Sequence, residues 1–167
     1  MHQGVVAAGH DLSAGAAAAV LRDGGNAVDA AIAAISMACL CEPVLCSPGS
    51  GMFAMVRDGS DRSVHLLDAF VQTPRRHADH LEDGEHVVHA DFGTARQAFR
   101  IGPATTATPG LFDGLASLRH RFGSRLMDAL VTDAVRAARA GITVTAFQHH
   151  LFTVVEPILT ATPGARE

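Results

Sequence analysis

Two alanine-rich stretches near the start of the chain have the hydrophobic pattern of helices. Residues 14–23 combine strong helix propensity with Ser13 as a candidate N-cap. Residues 27–41 are apolar on nearly every side, with Asn26 as the cap and Asp29 in the first turn. A helix that is apolar all round must be buried, so we expect the second helix to lie in the interior of the fold.

Shorter apolar runs follow the two helices. Residues 52–57 and 64–67 are separated by the turn sequence Asp58-Gly59-Ser60-Asp61, which predicts an antiparallel hairpin. The apolar stretch 4–8 predicts a further short strand. The polar and histidine-rich stretch 73–92 is expected to be an exposed loop.

The remainder of the chain is helical in pattern. Apolar periodicity predicts helices at about 111–121, 126–140 and 146–159, and Pro157 is expected to kink or end the last one. Helices segregated from antiparallel strands favour an α+β fold over a doubly wound α/β fold. Buried helices need a larger sheet than these few strands provide, so we expect the sheet to be incomplete within this chain.

Composition narrows the class of protein. Hydrophobic residues make up 48% of the chain and charged residues 18%, which is typical of a globular protein. The net charge of −4 and the lack of a dense Lys/Arg run argue against nucleic-acid binding. No stretch approaches the roughly 20 apolar residues of a membrane span, and the first residues lack the basic region of a secretory signal. The expectation is a cytoplasmic protein that binds neither nucleic acid nor membrane.

Metal and cofactor sites are not expected. Cys39, Cys41 and Cys46 do not have a standard zinc spacing and are interpreted as small apolar core thiols. The ten histidines, among them His77 and His80, are scattered without a ligand spacing. A His/Cys metal protein is therefore a poor hypothesis.

Motifs for nucleotide binding and for serine hydrolases are also missing. The loop Ser47–Gly51 is rich in Gly, Pro and Ser, but it lacks the lysine of a phosphate-binding loop and precedes a strand. No Gly-x-Ser-x-Gly elbow occurs in the sequence. The string Gly24–Ala31, which reads GGNAVDAA, is interpreted physically as a helix stop, a turn and a helix cap.

Three groups of residues together resemble the γ-glutamyltransferase family. They are the opening Gly4–Ser13 with Gly24–Ala31, the pair Glu42-Pro43 with the loop that ends in Gly51-Met52-Phe53, and Thr108-Pro109-Gly110 with Phe122-Gly123 and Ala137–Val144. The GGNAVDAA string is highly specific to that family, and the resemblance runs in the right order along essentially the whole chain.

The resemblance implies an N-terminal-nucleophile (Ntn) hydrolase with a four-layer αββα sandwich. Such a precursor cleaves itself before a Thr, whose hydroxyl becomes the nucleophile and whose new α-amine acts as the base. The Thr attacks a γ-glutamyl amide such as glutathione, and the acyl group passes to water or to an amine.

The family's Thr motif lies well beyond the end of this sequence. Residues 1–167 therefore resemble the N-terminal portion of the large subunit, a single partial domain of an incomplete sandwich with no catalytic residue in this chain. The implied partners are the remainder of the large subunit, the small subunit and a small-molecule amide substrate. We expect the chain alone to be inactive and to leave apolar surface uncovered around the 27–41 helix, so that it aggregates or needs a partner.

One departure from the family concerns substrate binding. The family's glutamate-binding Arg belongs to an Asp-x-Arg-Glu-x-x-Pro stretch, which here runs from Asp68 to Pro74 with Phe70 at the Arg position and Val71 at the Glu position. Phe cannot form the bidentate pair that Arg makes with a carboxylate. Arg75 and Arg76 follow, but they are more typical of solvated surface. If Phe70 lines the pocket, affinity for an α-carboxylate is expected to fall sharply, and both a γ-glutamyl amide and another small amide stay open as the substrate.

Two alternatives remain open. The chain is either part of an amidohydrolase or acyltransferase, or a non-catalytic scaffold, a pseudoenzyme domain that keeps only the fold. A Thr-containing processing motif in the adjoining polypeptide distinguishes the first alternative from the second.

Overall fold

A computed structural model describes residues 4–75 and 84–162. In this part of the chain there are five α-helices, four strands and one short 3₁₀ turn at Pro103–Thr105. The helices are α1 (Asp11–Arg22), α2 (Ala27–Cys41), α3 (Leu111–Phe122), α4 (Met127–Ala140) and α5 (Ala146–Leu159). The strands are β1 (Met52–Arg57), β2 (Val64–Ala69), β3 (His86–Asp91) and β4 (Arg96–Ile101). The fold class is α+β, as predicted.

The chain divides into two compact units. The first comprises Met1–Val71 and Pro109–Thr143, and the second comprises Gln72–Thr108 and Val144–Glu167. Each unit has one antiparallel two-stranded sheet among its described residues, β1–β2 in the first and β3–β4 in the second.

The first unit is built around α2. Its core is formed by Ile32 of α2, three leucines of α3 and Leu130 of α4, all at most 4% exposed. Close to Cys41, α2 packs against α1 through small side chains, which lets the two helix backbones approach. The buried position of α2 confirms the prediction from its apolar pattern, and its bounds agree with the predicted 27–41.

One face of the β1–β2 hairpin packs against these helices, and the other face is exposed. Met52 pairs with Ala69 and Arg57 with Val64, so side chains alternate between an inner and an outer face. The inner face packs on the helical core through Met52, Ala54, Val56 and Leu67. The outer face is exposed although it carries large apolar side chains, namely Phe53, Met55, Val64 and Leu66. This hairpin confirms the predicted one.

The second unit pairs β3 with β4 and packs α5 against β3. Ala90 of β3 is fully buried. Thr145 and Gln148 form a capping box at the start of α5, with the Thr145 backbone N–H donating to Gln148 Oε1 at 2.6 Å. The helix spans the predicted residues. It does not end at Pro157, which lies inside it, and it continues to Leu159.

Three local predictions were wrong. Residues 86–91, placed in a loop, form strand β3. Half of its residues are polar, namely His86, His89 and Asp91, which made the run look like a loop. Residues 4–8 form no strand, since they have no backbone partner in the described part of the chain. Helix α1 begins at Asp11 with His10 as its N-cap, while Ser13 is buried inside the helix and donates to Glu42 Oε1 at 2.7 Å.

No helix in residues 4–75 or 84–162 is both long and apolar enough to cross a lipid bilayer.

Candidate functional site

The segment Asp68–Pro74, which differs from the family motif, begins at the end of β2. The loop before β1 and the turn before α3 pack against it through Gly51 and Gly110. The Ser50 carbonyl accepts hydrogen bonds from the backbone N–H groups of Gly110, at 3.2 Å, and Leu111, at 3.0 Å. These bonds tie the Gly/Pro/Ser loop to the start of α3. The loop Ser47–Gly51 is therefore fixed to the start of α3.

Two glycines hold the backbone of Phe70 between them. A Cβ atom on Gly51 would lie 2.7 Å from both the Cα and carbonyl carbon of Phe70, closer than real Cβ atoms come. A Cβ on Gly110 would lie 2.8 Å from the Phe70 carbonyl oxygen. Only glycine permits such close approach on both sides. The backbone at position 70 is therefore fixed by packing.

The Phe70 side chain lies against a second aromatic ring. Its ring stacks on that of Phe53, with centroids 5.2 Å apart and an interplanar angle of 13°. Phe70 is 51% exposed and Phe53 is 60% exposed. The Phe70 backbone N–H donates to Asp68 Oδ1 at 3.0 Å, and Phe53 lies opposite Asp68 in the hairpin. Sequence reasoning singled out Phe70 but missed Phe53, which the hairpin register alone brings beside it.

The two arginines that follow this segment in the sequence are Arg75 and Arg76. Arg75 is exposed and belongs to the second unit. Arg76 lies outside the described residues. Among the described residues, no ion pair includes a residue of the stretch 47–75.

The GGNAVDAA string forms a polar cluster around the buried Asp29. Asn26 Oδ1 accepts from the backbone N–H groups of Val28 and Asp29, both at 2.9 Å, and Asp29 Oδ2 accepts from the Asn26 N–H at 3.0 Å. This reciprocal capping box confirms the predicted helix start. The string therefore has a structural role at the start of α2.

Asp29 also binds the loop that joins α3 to α4. Its carboxylate accepts from the backbone N–H of Ser124 at 2.9 Å, from that of Arg125 at 3.2 Å and from Ser124 Oγ at 2.5 Å. Burial raises the pKa of the fully buried Asp29 carboxyl, but the hydrogen bonds from Ser124, Asn26 and Arg125 together outweigh it and lower that pKa below its ordinary value. Asp29 is therefore a buried anion that holds two loops.

The three cysteines differ in environment. Cys41 is fully buried, with its sulfur 3.1 Å from Ser13 Oγ, as expected of a core thiol. Cys39 and Cys46 are half-buried, with their sulfurs 3.6 Å apart. Burial and the neighbouring Cys46 thiol raise the pKa of Cys39 to about 12, so Cys39 is a neutral thiol at physiological pH and a poor nucleophile.

The described residues contain no group of three or more His, Cys, Asp or Glu side chains that could hold a metal ion. His77 and His80 lie outside the described part of the chain, so their surroundings are not part of this finding.

Comparison with known proteins supports a family assignment. The family model described as Gamma-glutamyltranspeptidase matches residues 13–167. The chain is 29% identical over 144 residues to the glutathione hydrolase proenzyme of Bacillus subtilis strain 168, which covers 84% of this chain and 23% of that protein. It is 26% identical over 162 residues to the acylase ACY 1 proenzyme of Pseudomonas sp. strain V22, covering 97% of this chain and 29% of the relative.

Solved structures share the fold. The γ-glutamyltranspeptidase of Helicobacter pylori superposes with a TM-score of 0.79 at 19% identity, over 99% of this chain and 46% of that one. The cephalosporin acylase of Bacillus halodurans superposes with a TM-score of 0.72 at 24% identity, over 90% of this chain and 26% of that one.

The architecture is that of part of an Ntn hydrolase. The chain belongs to the γ-glutamyltranspeptidase family, as the resemblance of its sequence motifs to that family predicted. It spans about a quarter of the length of the curated relatives it matches.

Proposed function

We propose that this chain supplies the scaffold and the acyl-binding wall of an amide-cleaving enzyme of the γ-glutamyltranspeptidase family. The observation that carries the proposal is the family match over residues 13–167, together with a fold shared over nearly the whole chain. In this proposal the nucleophilic Thr belongs to polypeptide outside the chain. This chain together with that polypeptide is called the assembled protein.

The proposed reaction is acyl transfer through a covalent intermediate. The Thr hydroxyl attacks the amide carbonyl carbon while the Thr α-amine accepts its proton, and backbone N–H groups stabilise the oxyanion. Collapse of the tetrahedral intermediate releases the amine, which takes the proton. Water or a second amine then attacks the acyl-Thr ester and regenerates the free hydroxyl.

The outer face of the β1–β2 hairpin supports the need for a partner polypeptide. Met55 is 75% exposed and lies opposite Leu66 in the hairpin register, with Val64 near the same end. A ribbon that is apolar on both faces is typical of a sheet buried on both sides. We propose that the remainder of the large subunit and the small subunit cover this aliphatic part of the outer face and leave its end at Phe53 open.

The edge of the hairpin supports the same proposal. Among the described residues β1 pairs only with β2, so its other edge has free backbone groups. A groove of about 710 Å³ follows that edge and is walled by Ala27, Ala31 and Ile35 of α2. Six of the fifteen residues of α2 are buried, and the exposed strip along this groove agrees with the expected uncovered surface around the helix. We propose that a further strand from the partner polypeptide lies in this groove.

Phe70 supports a substrate that differs from glutathione. The family pattern has an Arg for the glutamyl carboxylate at this position, and a half-exposed phenyl ring cannot replace its charge or its hydrogen bonds. Relatives named as acylases belong to the same set of matches as the glutathione hydrolases. We propose hydrolysis or transfer of a non-glutamyl acyl group.

The loss of the Arg also favours a second candidate function, a non-catalytic scaffold. The two candidates predict different chemistry in the same preparation. For the enzyme, we expect the assembled protein to contain a new N-terminal Thr, detected by mass spectrometry, and to release aniline from small acyl anilides. An assembled protein with an unprocessed precursor and no release from any anilide supports the scaffold and contradicts the enzyme.

A further inference from the structure

Only one end of the exposed hairpin face is aromatic. Phe53 and Phe70 stack there, whereas the outward apolar positions further along the ribbon are the aliphatic Met55, Val64 and Leu66. A parallel pair of rings that remains half-exposed offers both an edge and a face to a third flat group. This end of the hairpin is therefore chemically distinct from the rest of the face.

The aromatic pair is held in place by rigid backbone. Gly51 and Gly110 pack against the main chain of Phe70, and Asp68 Oδ1 accepts its N–H. Phe53 lies in the ordered ladder of β1, opposite Asp68. A preorganised aromatic surface loses little conformational freedom when a ligand binds, which favours binding of a flat apolar group.

The charge beside the pair selects against a carboxylate. Asp68 lies on the same outward face as Phe53, and its carboxylate is at hydrogen-bond distance from the Phe70 backbone. A substrate carboxylate placed over Phe70 would meet the like charge of Asp68, and among the described residues Asp68 forms no ion pair that offsets this charge. An uncharged acyl group avoids this repulsion.

We propose that Phe53 and Phe70 together form an aromatic acyl subsite, and that the preferred substrates are amides of uncharged aryl-acyl acids. This inference rests on the proposed function, because it takes position 70 to face the acyl group. Phe53 is then a specificity-determining residue together with Phe70.

The test measures how fast the assembled protein hydrolyses three p-nitroanilides, namely the phenylacetyl, hexanoyl and γ-glutamyl derivatives. We expect kcat/KM for the phenylacetyl substrate to exceed that for hexanoyl by about tenfold, and that for γ-glutamyl by more. Phe53→Leu and Phe70→Leu should each remove most of the phenylacetyl advantage over hexanoyl, mainly through a higher KM for the phenylacetyl substrate. Phe70→Arg should lower phenylacetyl turnover and raise γ-glutamyl turnover.

The control is Phe147→Leu, which removes an exposed ring from α5 in the other unit and should leave all three values unchanged. Preferred turnover of γ-glutamyl anilide with Phe70 in place would overturn the inference. So would a phenylacetyl-to-hexanoyl ratio that Phe53→Leu does not alter.

Failure of the inference is distinguishable from failure of the proposed function. If no anilide is cleaved, the enzyme proposal fails, and ¹⁹F NMR titration of 4-fluorophenylacetamide then tests the subsite directly. Binding that Phe53→Leu weakens, with no effect of Phe147→Leu, supports the aromatic subsite. Absence of binding, or equal binding by all three proteins, overturns it.

Discussion

Replacing Asp29 by Ala is expected to destabilise the start of α2 by about 4 kcal/mol, because a fully buried acceptor of four hydrogen bonds is removed. The backbone N–H groups of Ser124 and Arg125 lose their acceptor, and α2 loses half of its capping box. The measurement is hydrogen exchange of the α2 amides in the assembled protein, which reports the free energy of local opening.

The matched control for this variant is Asp23→Ala. Asp23 pairs with Arg125 at 3.4 Å, but its side chain is 82% exposed, so the expected loss is below about 0.5 kcal/mol. The pKa of Asp29 is lower in the folded state than in the unfolded chain, so its stabilisation is present above about pH 4 and is lost as the pH falls through the folded pKa. Equal exchange rates in the Asp29 and Asp23 variants would contradict the structural role of the GGNAVDAA string.

Replacing Gly51 by Ala is expected to cost about 3 kcal/mol and to displace Phe70. The added methyl group overlaps the Phe70 backbone, which Gly110 supports from another direction, so the strain cannot be relieved without moving that backbone. We expect the thermal unfolding midpoint of the assembled protein to fall and acyl selectivity to weaken together.

Gly59→Ala is the control for this second variant. Gly59 lies in the turn of the same hairpin, and nothing lies within 4 Å of an added Cβ atom there. Its midpoint and selectivity should match those of the unmodified protein. If Gly51→Ala behaves in the same way as Gly59→Ala, position 70 is not held by the glycine contact.

Local signals account for the elements that could be predicted. The capping residues Asn26 and Asp29 and the apolar run that follows them define α2, and the turn 58–61 defines the first hairpin. The β3–β4 hairpin was not recognised, because half of the residues of β3 are polar and two of them are histidines. Periodicity cannot separate a half-polar strand from a polar loop when only a few of its positions are apolar.

Contacts between distant parts of the sequence were beyond prediction. Asp29 and Ser124 are 95 residues apart, and neither residue carries a signal that names the other. The stacking of Phe53 on Phe70 depends on the hairpin register and on two glycines that fix the end of β2. The departure at position 70 could be read from the sequence, but its aromatic partner and the adjacent carboxylate required the structure.

The central claim is that another polypeptide supplies the nucleophile and covers the aliphatic part of the outer hairpin face. The most direct measurement compares the purified 167-residue chain alone with the assembled protein, by light scattering and by anilide hydrolysis on the same samples. The account predicts that the chain alone self-associates and releases no aniline, whereas the assembled protein is monodisperse and active. A monodisperse monomer of the chain alone that cleaves anilides at enzymatic rates would contradict it.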